Sequence, residues 1–354
     1  MTTPVYDTSK PALVTGATGF LAGWIAKDLL DQGFTVHAAV RDPNNRSKTE
    51  HLQKLADAST GTIRFFKADL MQDGSYDAAM QGCGVVFHTA SPFTSDFKDP
   101  QKELVDPAVN GTRTVLEAAN RTDSVTRVVL TSSCAAIYGD AVDTGRAPRG
   151  MIDESVWNET SSLTHNAYSL SKTLAEKAAW DMAKAQDRWK LVVINPALIT
   201  GPSLGAAPTS EVFSLMKQLT EGAMKAGVPH IELGAVDVRD VAQAHIRAAF
   251  IEDANGRNIV FNSAMSFLEI GKIINAKWPN LPTPTRQMPK WLIWLVGPMV
   301  NSAFSRKWVS ANVGHPWRGD NSKAVRELGL SYMPMETSLH DMIQNMMDQN
   351  LIKS

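Results

Sequence analysis

Tyr168 and Lys172 are the two residues whose types and spacing best suit proton chemistry in this chain. They open a periodic segment that predicts a helix over residues 168–185, and a separation of four places phenol and ammonium on one face. A phenol has a pKa of about 10 in water, but a neighbouring cation favours the phenolate and lowers that pKa. The pair therefore predicts a general acid or base tuned by lysine; a solvated helix carrying both residues by chance is the alternative.

A serine supplies a third group. The apolar run at residues 127–130 predicts a strand that closes on a Thr-Ser-Ser sequence ending at Ser133. Its hydroxyl can donate to the same substrate oxygen as the phenol. Such a set suits carbonyl reduction by hydride transfer, in which Tyr168 protonates the oxygen, Ser133 stabilises its negative charge, and Lys172 tunes Tyr168 and holds a ribose. No metal is needed, and no His, Cys and acid cluster at ligand spacing indicates one.

A glycine turn near the N-terminus predicts where a nucleotide binds. Residues 12–14 are apolar, Gly16 and Gly19 follow, and residues 20–30 are amphipathic, which is the order strand, tight turn, helix. Glycines let a diphosphate approach the backbone, whose amides and helix dipole attract negative charge. Ala22 takes the third position, so the spacing differs from the usual Gly-x-Gly-x-x-Gly fingerprint. A tight turn without a ligand is the alternative.

Alternating strand and helix patterns predict the fold class. Strands are expected at residues 12–14, 34–40, 63–66, 85–88, 127–130 and 191–195. Helical patterns lie between them, so the strands should pair in parallel through right-handed crossovers. We expect an α/β fold with a Rossmann-type doubly wound parallel sheet, whose ligands bind at the carboxyl ends of the strands.

The C-terminal part is expected to form a smaller lobe. Residues 1–200 should be mainly the dinucleotide-binding domain and residues 201–354 mainly an interleaved substrate-binding lobe, joined by residues 151–164. Its expected elements are helices over 210–226, 238–250, 267–277, 321–329 and 339–347, and strands over 231–233 and 259–262. Phe93, Ile137, Tyr138 and Trp157 are candidate pocket walls, although core packing explains each equally well.

The end of the second strand predicts which nicotinamide cofactor is used. An acid there would bind the 2′-hydroxyl of NAD, whereas this strand ends in Arg41, whose fork suits the 2′-phosphate of NADPH. Arg46 or Lys48 supplies a second positive contact, and Asp42 is the competing residue.

Other strand-closing residues predict the rest of the nucleotide site. Asp69 is placed to accept from the adenine amino group or else to cap a helix, and the small residues from Thr89 to Ser91 allow close approach. Ser210 opens a predicted helix, where it caps the helix or contacts the diphosphate, with capping favoured.

Composition argues against several classes of protein. The 354 residues carry 35 Lys and Arg against 36 Asp and Glu, so no basic field favours nucleic acid. Two cysteines and a polar start without an export pattern favour a cytoplasmic protein. Residues 290–306 enclose an apolar stretch too short to cross a bilayer, interpreted mainly as a core or pocket-covering helix, with dimer or membrane-surface contact left open.

Several motifs together resemble the extended branch of the short-chain dehydrogenase/reductase family, and within it the dihydroflavonol reductase, cinnamoyl-CoA reductase and yeast-type methylglyoxal reductase group. The similarity covers roughly residues 11–280 and resumes near residue 321. The segments that carry it are Thr15 to Ala22, Val40 to Pro43, Ala68 to Leu70, Val86 to Pro92, Leu130 to Ser133, Ala167 to Glu176, Asn195 with Pro196, Gly201 with Pro202, and Val236 to Ala242.

The resemblance implies that Ser133, Tyr168 and Lys172 are catalytic, with Ser133 preferred over Ser132, and that the substrate is a small carbonyl compound. It also implies NADPH or NADP+ contacts from Gly16, Thr18, Gly19, Phe20, Leu21, Arg41, Lys48, Asp69, Leu70, Thr89, Ala90, Ser91, Tyr168, Lys172, Pro196, Ile199 and Ser210.

The chain departs from this group at Cys134 and in the apolar stretch, which puts plant-type substrates in doubt. Alternatives are an NAD-dependent nucleotide-sugar epimerase or dehydratase, a 3β-hydroxysteroid dehydrogenase-like enzyme, and a non-catalytic NADP sensor. A homodimer is left open, and neither nucleic acid nor a metal is expected as a partner.

Overall fold

A computed structural model describes residues 3–91, 97–205, 210–300 and 304–353. In its first half, strands and helices alternate as the sequence predicts. These elements are β1 (Ala12–Thr15), α1 (Phe20–Asp31), β2 (Thr35–Val40), α2 (Arg46–Asp57), β3 (Thr62–Lys67), α3 (Asp77–Met80), β4 (Val85–His88), α4 (Asp106–Arg121), β5 (Arg127–Thr131), α5 (Ala141–Arg146), α6 (Ala167–Lys184) and β6 (Lys190–Pro196). A π-helical turn, Gln101–Val105, leads into α4, and a 3-10 turn, Cys134–Ala136, follows β5.

The second half contributes shorter strands and more helices. These are β7 (Leu198–Thr200), α7 (Glu211–Thr220), β8 (Val228–Pro229), β9 (Glu232–Asp237), α8 (Val238–Phe250), β10 (Gly256–Val260), β11 (Ser263–Ser266), α9 (Phe267–Lys277), β12 (Gln287–Met288), α10 (Lys290–Val300), α11 (Arg306–Asn312), α12 (Ser322–Glu327) and α13 (Met335–Asp348).

Across the described residues, seven parallel strands form one sheet in the order β10-β6-β5-β4-β1-β2-β3. The order reverses between β1 and β4, so their carboxyl ends flank a crevice of the kind that holds ligands in doubly wound folds. The predicted Rossmann-type sheet is confirmed. Strand β10 comes from the C-terminal half of the chain and forms the edge of the sheet beside β6. The chain therefore returns to this sheet after forming β7 to β9.

Both faces of the sheet are covered by apolar helices. Val14 packs into the cluster formed with α1 and α8, whereas Leu13 packs into the cluster formed with α4 and α6. Because successive side chains of a strand point to opposite faces, a central strand covered on both sides is mainly apolar. All four residues of β1 are buried, and an unbroken apolar run, Ala12 to Val14, precedes the polar Thr15.

The smaller elements surround a third cluster, in which Met216, Leu219, Ile274, Met342 and Ile343 pack together. In the described residues β11, β9 and β7 form a three-stranded sheet, and β12 pairs with β8. These elements lie beside the carboxyl ends of the main sheet through β7, which follows β6 after one residue.

Four sequence boundaries in this part were wrong, among them the helix expected over 339–347, which begins at Met335. The helix expected over 210–226 ends at Thr220 because the chain turns at Gly222, where φ is +89°. The short strand expected over 231–233 continues to Asp237, since it pairs with both β7 and β11. The strand expected over 259–262 is β10, which lies at residues 256–260 in register with β6.

The apolar stretch forms α10 and continues toward α11. Ile293 on α10 packs with Ile231, Val309 and Val313, so the inner face of this helix belongs to the core, as predicted. Among the helices in the described ranges, none combines the length and apolar character needed to cross a bilayer. Cys83 and Cys134 are both buried and free.

Candidate active site

The glycine turn lies between β1 and α1, at the reversal of strand order. Gly16 has a φ of +61°, and a Cβ built on it would lie 3.1 Å from the Ala90 Cβ. Both the left-handed backbone and the lack of space for a side chain therefore favour glycine here. Gly19 donates its backbone N–H to the Gly16 carbonyl at 2.8 Å and begins α1 without a side-chain cap. The amides of the first turn of α1 therefore face the crevice as an anion-binding end.

Thr15 fastens this turn to the end of β4. Its buried hydroxyl accepts the backbone N–H groups of Thr89 at 3.1 Å and Ala90 at 3.0 Å, and lies 3.0 Å from His88 Nδ1. Two accepted bonds use both lone pairs, so the hydroxyl hydrogen must go to Nδ1 and the imidazole proton must sit on Nε2. Burial lowers the pKa of His88 to about 3, which keeps this ring neutral. Sequence reasoning did not single out Thr15, although a buried polar residue before a glycine turn was a usable signal.

The structure brings Ser133 and Tyr168 together from different elements. Ser133 precedes the 3-10 turn after β5, and Tyr168 is the second residue of α6. The Ser133 hydroxyl accepts the backbone N–H of Ala135 at 3.1 Å, so its own hydrogen remains available. A side-chain hydrogen bond joins it to Tyr168 and lowers the pKa of that phenol.

The pKa of the Tyr168 phenol is raised, whereas the sequence predicted that it would be lowered. Desolvation raises the pKa of this phenol to about 12, the bond to Ser133 lowers it, and the charge of Glu211 raises it. Lys172 is not among the groups that act on it, so the predicted lowering by lysine is wrong for this arrangement. The phenol is therefore protonated at neutral pH, the state in which it can donate a proton. Glu211, at the first turn of α7, was missed because no spacing links it to the tyrosine.

Lys172 is directed below the Tyr168 ring rather than at its hydroxyl. Its ammonium lies 5.8 Å from the ring centroid and donates to the Ser91 hydroxyl at 3.1 Å. Burial lowers the pKa of Lys172 to about 8. The lysine thus connects α6 to the end of β4, where the backbone closely approaches the glycine turn, and it lines a small cavity with His88 and Glu176.

Ser132 is engaged elsewhere, which separates it from Ser133. Its hydroxyl donates to Glu176, two turns after Tyr168 on α6. The same carboxylate accepts from Asn195 Nδ2 at 2.8 Å and from Arg257 Nε at 2.6 Å, and both ionic side chains are buried. Asn195 Nδ2 also donates to the Ser133 carbonyl at 3.2 Å. This network ties the end of β5 to α6, β6 and β10.

The Arg257 guanidinium extends the network to the segment before α6. It donates to the carbonyls of Glu154 and Val156 and stacks 3.8 Å from the centroid of the Trp157 ring. Trp157, a candidate pocket wall, thus lies against a buried cation.

The other candidate walls take different places. Ile137 is buried in a core cluster with Cys134 and Trp317, and Tyr138 packs against the same cluster. Phe93 lies outside the described residues. A separate cavity of about 440 Å³ opens beside Trp317 and Arg318 and is lined by none of the three predicted catalytic residues.

A second buried cluster fixes the start of α6. Asn166, with a left-handed φ of 56°, donates from Nδ2 to the Gly139 carbonyl at 2.8 Å and to Asp140 at 3.0 Å. Asp140 also contacts His165 Nε2 at 2.7 Å and accepts from Asn312 Nδ2 at 2.6 Å. Tyr168 is therefore held by the loop after β5 on one side and by α11 on the other.

The positive residues at the end of β2 are exposed. Arg41 directly follows β2 and has no ion pair in the part of the chain that the structure describes, and Lys48 is exposed on the first turn of α2. Asp42 closes the intervening turn by accepting the backbone N–H of Asn44 at 3.0 Å. The carboxylate of Asp42, the competing residue, is thus engaged in the loop. Arg41 has no such partner among the described residues. It lies near the glycine turn because Ala17 of that turn donates its backbone N–H to the carbonyl of Ala39, two residues before Arg41.

Asp69 and Leu70 follow β3. Asp69 accepts the backbone N–H of Met71 at 2.9 Å, so it closes a local turn and does not cap α3, whose N-cap residue is Tyr76. Leu70 packs against α4 at Gly111, where an added Cβ would lie 3.1 Å from the leucine Cβ.

The remaining predicted contacts lie on the side of the lobe. Phe20 stacks edge-on against Phe213 of α7 with 5.1 Å between ring centroids, Pro196 ends β6, and Ile199 lies in β7. Thr18 is half-buried in the glycine turn. Ser210 begins α7, but its side chain makes no capping hydrogen bond, so the favoured capping interpretation was wrong.

A polar site at the reversal of strand order, with a tyrosine and a lysine on α6, defines a nucleotide-dependent α/β enzyme. The family model described as "NAD dependent epimerase/dehydratase family" matches residues 12–263. The chain therefore belongs to this family, the extended short-chain dehydrogenase/reductases, and the resemblance found in the sequence is confirmed.

Similar proteins within the family are reductases. A cinnamoyl-CoA reductase of Medicago truncatula is 36% identical over 338 residues, covering 95% of each chain. Gre2 of Candida albicans, solved in complex with NADPH, is 31% identical with a TM-score of 0.76, covering 96% of this chain and 99% of that one. The yeast methylglyoxal/isovaleraldehyde reductase Gre2, complexed with NADPH, is 26% identical with a TM-score of 0.78 over 96% and 99% of the two chains.

The Glu176–Arg257 pair generates a stability prediction. Glu176→Gln keeps the side-chain shape but leaves the Arg257 charge buried without its counter-ion, so the free energy of unfolding should fall by about 3 kcal/mol or more. Urea unfolding followed by circular dichroism measures this. Asp31→Asn breaks the exposed pair with Lys27 and serves as the control, with little expected change. Equal effects of the two variants would contradict the structural role of the buried pair.

Proposed function

We propose that the protein is an NADPH-dependent carbonyl reductase that converts a small aldehyde or ketone to an alcohol. One observation carries the proposal: the protonated Tyr168 phenol is hydrogen-bonded to Ser133 and lies above Lys172, at the end of the sheet where the glycine turn opens. The reductases among the similar proteins support the same class of reaction.

Each member of the set has a distinct part in the reaction. Ser133, whose hydrogen is not used within the protein backbone, donates to the carbonyl oxygen and stabilises the negative charge that develops there. Tyr168 transfers its proton to the same oxygen. The Lys172 ammonium, directed to the end of β4 beside Ser91, holds a ribose hydroxyl of the cofactor. When bound, NADPH supplies the hydride that the carbonyl carbon receives.

The residues around the glycine turn fit a dinucleotide phosphate. The open first turn of α1 binds the diphosphate, and the close approach of Gly16 to Ala90 leaves room for backbone contact but not for a side chain. Arg41 binds the 2′-phosphate, helped by Lys48, and Asp69 lies near the adenine. The other predicted contacts are Thr18, Gly19, Phe20, Leu21, Leu70, Thr89, Ser91, Pro196, Ile199 and Ser210.

The lobe formed mainly by residues 201–354 faces the substrate in this proposal, with Glu211 close enough to act on the charge of Tyr168. Two free, buried cysteines fit a cytoplasmic enzyme. No group of His, Cys, Asp and Glu suited to a metal ion occurs in the described ranges.

An NADPH-oxidation screen tests the reaction. Aromatic aldehydes, β-keto esters, diketones and steroids should include a substrate, and Tyr168→Phe should lower its turnover at least about 100-fold because the proton donor is lost. NADPH affinity, measured by fluorescence titration, should change little. Ser133→Ala should lower turnover about 100-fold and Ser132→Ala much less, since only Ser133 faces the phenol. Undiminished turnover in Tyr168→Phe, or purified protein that retains stoichiometric NAD, would overturn the proposal.

Arg41 determines the cofactor preference. Arg41→Asp removes a charged contact to the 2′-phosphate and adds repulsion, so the ratio of kcat/KM with NADPH to that with NADH should fall about 100-fold. The exposed Arg64→Asp on β3 is the matched control and should leave the ratio unchanged. An unchanged ratio in Arg41→Asp would assign the phosphate contact to other residues.

The pH dependence follows from Lys172. Its ammonium has a pKa of about 8, so it is charged below that pH and neutral above it. Since the charged form holds the ribose hydroxyl of the cofactor in this proposal, kcat/KM for reduction should be level near neutrality and decline above about pH 8, approaching tenfold per unit. A steady-state profile from about pH 6 to pH 10 measures this. A level profile throughout, or the same decline in Lys172→Arg, would contradict this role.

A further inference from the structure

The outer face of α10 is apolar and exposed. Trp291, Trp294, Leu295 and Met299 recur at helical spacing, with exposed fractions of 66%, 40%, 51% and 86%. The inner face of the same helix packs on the core through Ile293. The prediction that this segment is a core or pocket-covering helix thus explains the inner face of α10 but not the outer face. A contiguous exposed apolar face usually marks an interaction site.

The sequence around this helix has an unusual charge distribution. Seven of the 35 basic residues and none of the 36 acidic residues lie between Glu269 and Asp320. They are Lys272, Lys277, Arg286, Lys290, Arg306, Lys307 and Arg318. None of the seven forms an ion pair with another described residue, although the chain as a whole has a net charge of −1.

Three of these cations flank the apolar face. Lys290 is the first residue of α10, and its Nζ donates to the Ser310 carbonyl of α11 at 3.0 Å. The Arg306 guanidinium lies 4.6 Å from the centroid of a Trp294 ring, and Lys307 follows it on the exposed side. Tryptophans beside lysine and arginine are typical of helices that lie in a membrane interface, where the rings reach the acyl boundary and the cations meet phosphate.

We propose that the outer face of α10 docks on an anionic lipid bilayer, with the helix lying in the plane of the interface. Eleven residues are too few to span the hydrocarbon core, so the helix lies on the membrane. The cations around the face attract anionic headgroups, and the exposed tryptophans and Met299 enter the boundary below them.

Two other occupants fit the observations less well. A symmetric dimer through this face would bring Lys290, Arg306 and Lys307 of both copies together, with no acid of the segment to pair with them. The segments of this chain outside the described residues are at most five residues long, at 92–96, which is too short to cover the face.

Flotation with lipid vesicles tests docking without substrate or turnover, so its result is independent of the proposed reaction. The wild-type protein should float with vesicles of phosphatidylcholine and phosphatidylglycerol at least about tenfold more than with phosphatidylcholine alone, and should detach in about 0.5 M salt. Absence of flotation with the anionic vesicles, or equal flotation with both compositions, would overturn the proposal.

Variants separate the contribution of the apolar side chains to membrane binding from that of the cations. Trp291→Ser with Leu295→Ser and Met299→Ser should lower the bound fraction at least about tenfold, and Lys307→Glu about fivefold or more. Two matched controls alter exposed residues elsewhere and should bind like wild type. The apolar control combines Val5→Ser, Met71→Ser and Val325→Ser, and the charge control is Lys184→Glu.

Circular dichroism verifies that each variant folds. Equal binding by the face variants and their controls would remove α10 as the docking site. Sedimentation velocity without lipid covers the remaining alternative: a wild-type dimer that becomes a monomer in the apolar variant would assign the face to a second copy and overturn lipid docking.

Discussion

One buried carboxylate, Glu176, determines how α6 packs against the ends of β5 and β6. It accepts hydrogen bonds from Ser132, Asn195 and Arg257, which belong to the segment after β5, to β6 and to β10. A buried charge of this kind is tolerated only where partners surround it, so each partner is fixed in place. Because Glu176 lies on α6, the helix that carries Tyr168 and Lys172, the same interaction positions that helix against the strand that leads to Ser133.

The second constraint is the reversal of strand order between β1 and β4. Thr15 joins the two ends, and the small residues on either side let the backbones approach until a Cβ on Gly16 would lie only 3.1 Å from the Ala90 Cβ. Lys172 reaches the same strand end through Ser91. The crevice at the glycine turn and the proposed proton donor, Tyr168, therefore belong to one connected arrangement rather than to two adjoining sites.

Local patterns predicted much of this from sequence. The central strands contain short apolar runs that mark them in the sequence, and helices such as α8 and α9 were predicted with the bounds they have. The missing parts depend on contacts between distant residues. No local pattern shows that Arg257 pairs with Glu176, that Asp140 joins Asn166 to Asn312, or that Glu211 acts on Tyr168. The lysine effect was misjudged for the same reason, since helical spacing fixes a shared face but not which atom the ammonium approaches.

Cys134 stands directly after Ser133, yet its thiol points away from the reacting groups and donates to the Asn195 carbonyl. Burial raises the pKa of this thiol far above its usual range, so the nucleophilic thiolate is scarcely populated. An electrophilic compound bound beside Ser133 would thus meet hydroxyl groups and not a sulfur nucleophile. Cys134 is therefore protected from alkylation by its burial.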